Sequence, residues 1–270
     1  MNKIKKIDNI INHFVQSPDL QLHSERYPFD CFDFYAESVS DNGFQFPTDI
    51  VLGQQAEACF EAYLKRSKNF ELLIANLQIQ GEKQTLGELD YIVRDLTTKK
   101  VVHIELACKF YLYDETLGPS EEAKWIGPNR KDSLFDKLEK IKQQQFPLIH
   151  APETQKQLNQ LGFEIPTEQK LCLKAFLFLP AKMETGILSN NFRNCIVGHW
   201  VRYGELKDIE NALYAIPNKK EWLLPVEALT EWYSFSEIKD LISEQLQNRN
   251  SPLIYIKTLH IIEKFFVVWW

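Results

Sequence analysis

Two short runs constrain this chain more than anything else in it. Gly87-Glu88-Leu89-Asp90-Tyr91-Ile92 and Val101-Val102-His103-Ile104-Glu105-Leu106-Ala107-Cys108-Lys109-Phe110 read as neighbouring β-strands, apolar apart from a few charged residues. Charge taken into a sheet is costly unless it is paired or coordinates a metal. Residues two apart along a strand share a face. Glu105, Ala107 and Lys109 therefore point the same way, and small Ala107 leaves room between the two charges. If the strands pair, Asp90 reaches that face too. Two carboxylates and a lysine converging on one spot are the equipment of a divalent-metal phosphodiesterase. The opposing possibility is structural: Asp90 at a wet edge or in a salt bridge, and Glu105 paired with Lys109 alone.

Periodicity supplies the frame around these strands. Leu52, Ala56, Cys59, Phe60, Tyr63 and Leu64 predict an amphipathic helix to about Lys65, with Gly53 near its start allowing close backbone approach. Strands are expected over 70–80, 86–96 and 100–113. A helix follows from about Lys131, with Leu134, Leu138, Ile141 and Gln145 on one side. A second helical piece is expected over 153–161, then a buried strand over 170–179 that Pro180 ends. The order helix, three strands, helix, strand predicts an α/β chain with a mixed, α+β-type sheet. Ile7, Ile10, Ile11 and Phe14 predict a short helix ahead of it, stopped at Ser17-Pro18, and residues 18–50 a packed irregular arm. Beyond Pro180, residues 194–203 and 220–226 are expected as short strands and 230–246 as a helix, while 254–266 mixes signals. The apolar end Phe265-Phe266-Val267-Val268-Trp269-Trp270 is expected to pack onto the body. The economical organisation is one domain: an N-terminal arm (1–50), a core (51–180) and a C-terminal extension (181–270).

Composition narrows the function classes. Apolar residues make up 44% and charged residues 25% of the 270, the balance of a soluble globular protein. No apolar run approaches the roughly 20 residues of a membrane span, and the basic start lacks the apolar core of a secretory signal, so a cytoplasmic protein is expected. Cys31, Cys59, Cys108, Cys172 and Cys195 are scattered and never in a CxxC pair, which argues against a zinc site or a disulfide framework. The net charge of −6 lowers the expectation of tight, indiscriminate duplex binding. Basic residues cluster mildly at 124–142 and 219–220. No Walker-type loop, GxGxxG or nucleophile elbow is present, so no nucleotide cofactor is expected.

The chain resembles the PD-(D/E)xK nuclease superfamily and, within it, the bacterial DUF1853 family. The resemblance rests on Gly53 and Glu57, Gly87-Glu88-Leu89-Asp90, His103 through Leu112, and Trp125-Ile126-Gly127-Pro128-Asn129 with Asp132. One departure stands out: the superfamily pattern puts its lysine two residues after the acid, where this chain has Ala107, and Lys109 is one step further along the same face. The resemblance implies a restriction-endonuclease-like α-β-β-β-α-β core, Mg²⁺ or Mn²⁺ as cofactor, and nucleic acid as substrate. Asp90 and Glu105, with the backbone carbonyl of Leu106, would hold the metal; Lys109 would orient or activate the attacking water. Glu57 would reach the metal directly or through water, with Glu61 its competitor.

Around these, Glu88 shares the face of Asp90 and is read as an extra ligand or a solvent-facing acid. His103 shares the face of Glu105 and is read as its support or as a satisfied sheet histidine. Asn129 is a candidate cap for the following helix, and Arg130 and Lys131 would add charge for substrate. The rival to a nuclease is a catalytically inactive nuclease-fold module that binds nucleic acid or a protein partner, a reading the displaced lysine favours. An enzyme on another phosphate substrate is a third.

Overall fold

The run Val101–Tyr113 forms one strand buried along nearly its whole length, and the chain is organised around it. The computed structural model describes residues 9–22 and 24–270. In order they form α1 (Ile10–Val15), β1 (Asp30–Cys31), α2 (Leu52–Arg66), β2 (Phe70–Gln80), β3 (Thr85–Asp95), β4 (Val101–Tyr113), β5 (Trp125–Ile126), α3 (Leu134–Lys140) and α4 (Pro152–Leu161). Then come β6 (Glu168–Pro180), α5 (Asn190–Arg193), β7 (Ile196–Arg202), β8 (Leu213–Ala215), α6 (Phe235–Gln247), β9 (Leu253–Lys257) and β10 (Ile262–Val268). The result is a mixed α/β structure on one ten-stranded sheet, ordered β2-β3-β4-β6-β7-β10-β9-β8, with β1 beside β6 and β5 beside β4.

β2, β3 and β4 are antiparallel, as short connections allow, whereas β4, β6, β7 and β10 run parallel. A parallel step needs a crossover. Between β4 and β6 it consists of α3, a π turn (Ile141–Gln145), a 3-10 turn (Phe146–His150) and α4. Alternation along β4 sorts its side chains. Ile104, Leu106, Cys108 and Phe110 pack with Ala56, Cys59, Phe60 and Tyr63 of α2. Ala107, Tyr111 and Tyr113 join the cluster of Leu134, Leu138 and Ile141 on the opposite layer. The sequence expectations for α2, β2, β3, β4, α4 and β6 agree with these elements to within a residue or two.

The arm is more ordered than expected. It lies along the free flank of β6: Asp30 and Cys31 pair with Lys170 and Leu171, and Leu20 N–H donates to the Leu173 carbonyl at 2.8 Å. Lys174, fully buried in β6, holds it there by donating to the carbonyls of Val15 (2.9 Å) and Ser17 (3.0 Å), with its ammonium 4.2 Å from the Phe34 ring centroid. The expected N-terminal helix is α1; Ile7 and His23 lie outside the described residues.

Four expectations need correction. The helix expected over 230–246 begins only at Phe235, where Ser234 and Glu237 form a capping box. Residues 220–226 are not a strand but turns, Lys219–Glu221 and Val226–Ala228, because Asn218 and Glu221 form a capping box and Pro225 lacks a ladder donor. The helix after the glycine loop starts at Leu134, not Lys131, since Ser133 is its cap and accepts from Asp136 N–H. Residues 253–268 are two strands turned back on each other at Thr258–Ile261. The segment after residue 180 is therefore no appendage: β7, β10, β9 and β8 continue the same sheet, and Trp270 packs against Trp200.

Gly198, in β7, marks the join. A Cβ there would lie 2.3 Å from the Lys264 carbonyl oxygen and 2.9 Å from Phe178. Gly198→Ala should destabilise the protein by about 1–3 kcal/mol, as overpacking does. Tryptophan fluorescence during denaturation should show the core and the C-terminal strands losing stability together. A variant whose core transition stays put while a separate one moves would argue against a continuous sheet.

Candidate active site

β3 and β4 keep register only from Arg94 with Val101 to Tyr91 with Ile104. There the ladder stops, and the Leu106 N–H donates instead to Asp90 Oδ2 at 2.8 Å. β3 continues to pair with β2 as far as Thr85, so it veers away from β4. From Leu106 to Phe110, β4 keeps β6 on one flank and borders a cleft of about 460 Å³ on the other. Gly87 serves this divergence. A Cβ at Gly87 would come within 2.8 Å of a Leu148 methyl, so glycine lets the 3-10 turn close over the departing strand.

Asp90 and Glu105 meet at the split, as the shared strand face predicts. Glu105 is 1% exposed. Its Oε1 lies 3.0 Å from His103 Nε2, and its Oε2 accepts from Gln145 Nε2. Gln145 in turn accepts from Lys137 Nζ at 2.9 Å. On the far side, Gln169 Nε2 is 3.0 Å from His103 Nδ1 and donates to the Phe146 carbonyl at 2.8 Å. An amide nitrogen only donates, so Nδ1 is the acceptor and the imidazole proton sits on Nε2, facing Glu105. Gln169, His103, Glu105, Gln145 and Lys137 thus form one continuous polar chain.

Burial sets the charge states. It pushes Asp90 up to about 7, helped by the adjacent Glu105 carboxylate and opposed by the Leu106 N–H, Lys137 and His103. Burial also raises Glu105 to about 7, against the pull of Lys137 and a hydrogen bond with Asp90. His103 is driven down to about 4 by the same cause, so it is a neutral donor. Burial lowers Lys137, which Glu105 and Asp90 counteract and Lys109 and Lys140 reinforce. Both carboxyls thus hold their protons well above the ordinary carboxylate range, chiefly because they are buried.

The lysine linked to this pair, through Gln145, is Lys137, from α3, which the sequence reading missed. Its signal was present: position 137 falls three residues after Leu134 and one before Leu138, inside the apolar stripe of the helix. Lys109 goes elsewhere, to Asp132 Oδ2 at 2.8 Å. The reason is reach, since four residues of strand separate it from Glu105 by roughly 13 Å along the backbone. The pairing of Glu105 with Lys109 alone is therefore not what forms.

Glu57 lines the cleft and is raised by burial and by the charges of Asp90, Glu88 and Glu61, so all these acids lie within electrostatic range. Gly53 lines it as well, but nothing lies within 4 Å of where its Cβ would stand; it leaves space rather than allowing close packing. The loop residues are corrected most. Asn129 does not cap α3; its Oδ1 accepts from Ser251 N–H at 2.8 Å. Arg130 pairs with Asp114 at 2.9 Å and lies over the Trp270 ring. Lys131 is exposed, and none of the three lines the cleft. Lys219, Lys220 and Trp222 do.

Among the described residues, no group of three or more His, Cys, Asp and Glu side chains is arranged to hold a metal. The split offers two carboxylates, and strand geometry turns the Leu106 carbonyl to the same flank as its N–H; all are hard oxygens. That set suits Mg²⁺, which takes one or two carboxylates and keeps several waters. No helix among the described residues is long and apolar enough to cross a membrane. No curated protein and no solved structure matches the chain. A family model does: residues 33–267 match DUF1853, a domain of unknown function, and the chain belongs to that family.

Proposed function

We propose that this chain is a divalent-metal-dependent phosphodiesterase acting on nucleic acid, built on the PD-(D/E)xK plan. The observation that carries the reading is the buried pair Asp90 and Glu105 at the strand split, with the Lys137 ammonium beside it. Asp90, Glu105 and the Leu106 carbonyl would hold Mg²⁺ or Mn²⁺, with Glu57 in support. A divalent cation bound there supplies Lewis acidity and a water of lowered pKa. The chain's own groups do the positioning. His103 and Gln145 fix both oxygens of Glu105, so the carboxylate meets its ligand without reorganising. Lys137 offers a desolvated ammonium where negative charge grows on a transferring phosphoryl group. Lys109, held by Asp132, contributes to the cationic wall of the cleft.

A second reading has its own observation. With no group of three His, Cys, Asp or Glu side chains placed to hold a metal among the described residues and Lys109 engaged by Asp132, the chain would be a nuclease-fold module that binds nucleic acid or protein without cutting. Calorimetric titration of Mn²⁺ separates the two. Wild type should bind and Asp90→Asn should not; no binding by wild type would favour the module.

Lys137→Met should lower the Mn²⁺-dependent cleavage rate by about 10²–10³-fold, the loss seen when one transition-state donor is removed. Lys109→Met should cost less than about ten-fold. Equal losses, or a larger loss at Lys109, would return the catalytic role to the strand lysine.

The raised acids also fix a pH dependence. Asp90 holds its proton up to about 7 in the fold, against an ordinary value of 3.8. Between those values the folded state binds more protons than the unfolded one, so stability falls as pH rises through the window. Without metal, Asp90→Asn should match the wild-type Tm near pH 4 and exceed it increasingly up to pH 8. The gain should be about 2–4 °C for each kcal/mol recovered. A Tm difference that does not change with pH would show that Asp90 is not desolvated at the split.

A further inference from the structure

We infer that the cleft beside the strand split takes an unpaired nucleotide, at a strand end or in a single strand, and does not grip duplex. The inference rests on the phosphodiesterase reading for its ligand class and on the cleft itself for its form. The first observation is charge. In a chain of net charge −6, the cleft gathers Lys109, Lys137, Lys219 and Lys220 against Glu57 and Asp132. Lys109 is paired with Asp132 and Lys137 answers the two acids at the split, so among the described residues Lys219 and Lys220 are the cleft lysines in no ion pair, placed to meet an anionic phosphate.

The second observation is size. About 460 Å³ is within the roughly 300–1,000 Å³ of pockets that enclose one small ligand. Duplex recognition buries on the order of 1,000–2,500 Å² of protein surface, and it needs basic residues spread over that footprint. Here four lysines converge on one hollow, and Arg130, outside its lining, is tied to Asp114.

The third observation is the aromatic wall. Trp222 and Phe110 both line the cleft, with ring centroids 5.1 Å apart, and Phe266 lies 5.1 Å behind Trp222. Lys219 places its ammonium 5.7 Å from the Trp222 centroid. A half-buried tryptophan braced from behind, with a lysine at its face, offers stacking for a base and charge for its phosphate together. Any base has a π-face to give once it leaves the stack, so this arrangement favours unpaired nucleotides without choosing their sequence. Bases inside a duplex are already stacked and present none.

The test uses the full-length protein in EDTA and a short labelled oligodeoxynucleotide, single-stranded or as a blunt duplex, followed by fluorescence anisotropy. The single strand should bind at least about ten-fold tighter than the duplex. Lys219→Ala with Lys220→Ala, both exposed, should weaken single-strand binding about ten-fold and flatten its log–log salt slope by about 1.4, two phosphate contacts at 0.7 each. Trp222→Leu should weaken it about ten-fold, while Trp222→Phe keeps most of it, which separates stacking from loss of fold. Equal or tighter duplex binding, no binding of either form, or indifference to the lysine pair would each overturn the inference. Cleavage is scored separately with Mn²⁺. Duplex cleavage without single-strand preference would keep the phosphodiesterase and sink this inference. Single-strand binding with no cleavage of any form would do the reverse.

Discussion

One hydrogen bond organises the split between β3 and β4 and the cleft beside it. By accepting from the Leu106 N–H, the Asp90 carboxylate occupies the place of the next ladder partner, and β3 is free to leave β4. In a strand, the N–H and C=O of one residue point to the same flank, so the Leu106 carbonyl faces the gap too. The split thus creates three things together: a desolvated carboxylate, a second one opposite it on β4, and a length of strand flank bordering open space. An uninterrupted ladder would have sealed that flank.

The polar chain behind the split shows what holding a buried acid demands. Glu105 could not stay ionised in an apolar layer without donors, and it receives two, from His103 and Gln145. Each donor is then fixed from behind, His103 by Gln169 and Gln145 by Lys137. Gln145 reaches inward from the π turn that follows α3, and such wide turns recur where a helix must present a side chain off its ordinary stripe. Even so, both acids are left protonated more readily than in water. The donors around Glu105 therefore offset only part of the cost of burying the pair.

How much of this was legible depends on the range of the interaction that decided it. α2, β3, β4 and β6 were readable because their apolar periods are local and uninterrupted, and the meeting of Asp90 with Glu105 followed from strand alternation alone. What failed were choices made between distant segments. Lys109 lies on the right face, but Asp132 is closer than Glu105. Asn129 has the chemistry of a cap, yet the backbone of Ser251 claims it. Lys137 was hidden for the opposite reason: a lysine in a helical stripe reads as a surface residue until the sheet beneath it is known to carry two acids. Residues 220–226 looked like a strand because Trp222, Leu223, Leu224 and Val226 are apolar, but they bury themselves from turns, which period 2 does not report.

The C-terminal strands matter to the site for a reason that follows from the same topology. Beside α2, the cleft is lined by the 127–132 loop and the 219–222 turn, neither of which belongs to the first four strands. The loop is held by Ser251, whose hydroxyl and N–H bond Pro128 and Asn129, and by the Trp270 indole, which donates to the Pro128 carbonyl at 3.0 Å. The turn is held by Gln55, whose amide donates to the Lys220 carbonyl, and by Phe266 of β10 against Trp222. The acids come from the middle of the chain, but the hollow in front of them exists only because β10 runs parallel beside β7 and brings the chain end to that rim. A central core alone would present its two carboxylates on an open sheet flank. The complete sheet encloses them in a cleft lined by lysines, two of which, Lys219 and Lys220, come from the C-terminal third of the chain.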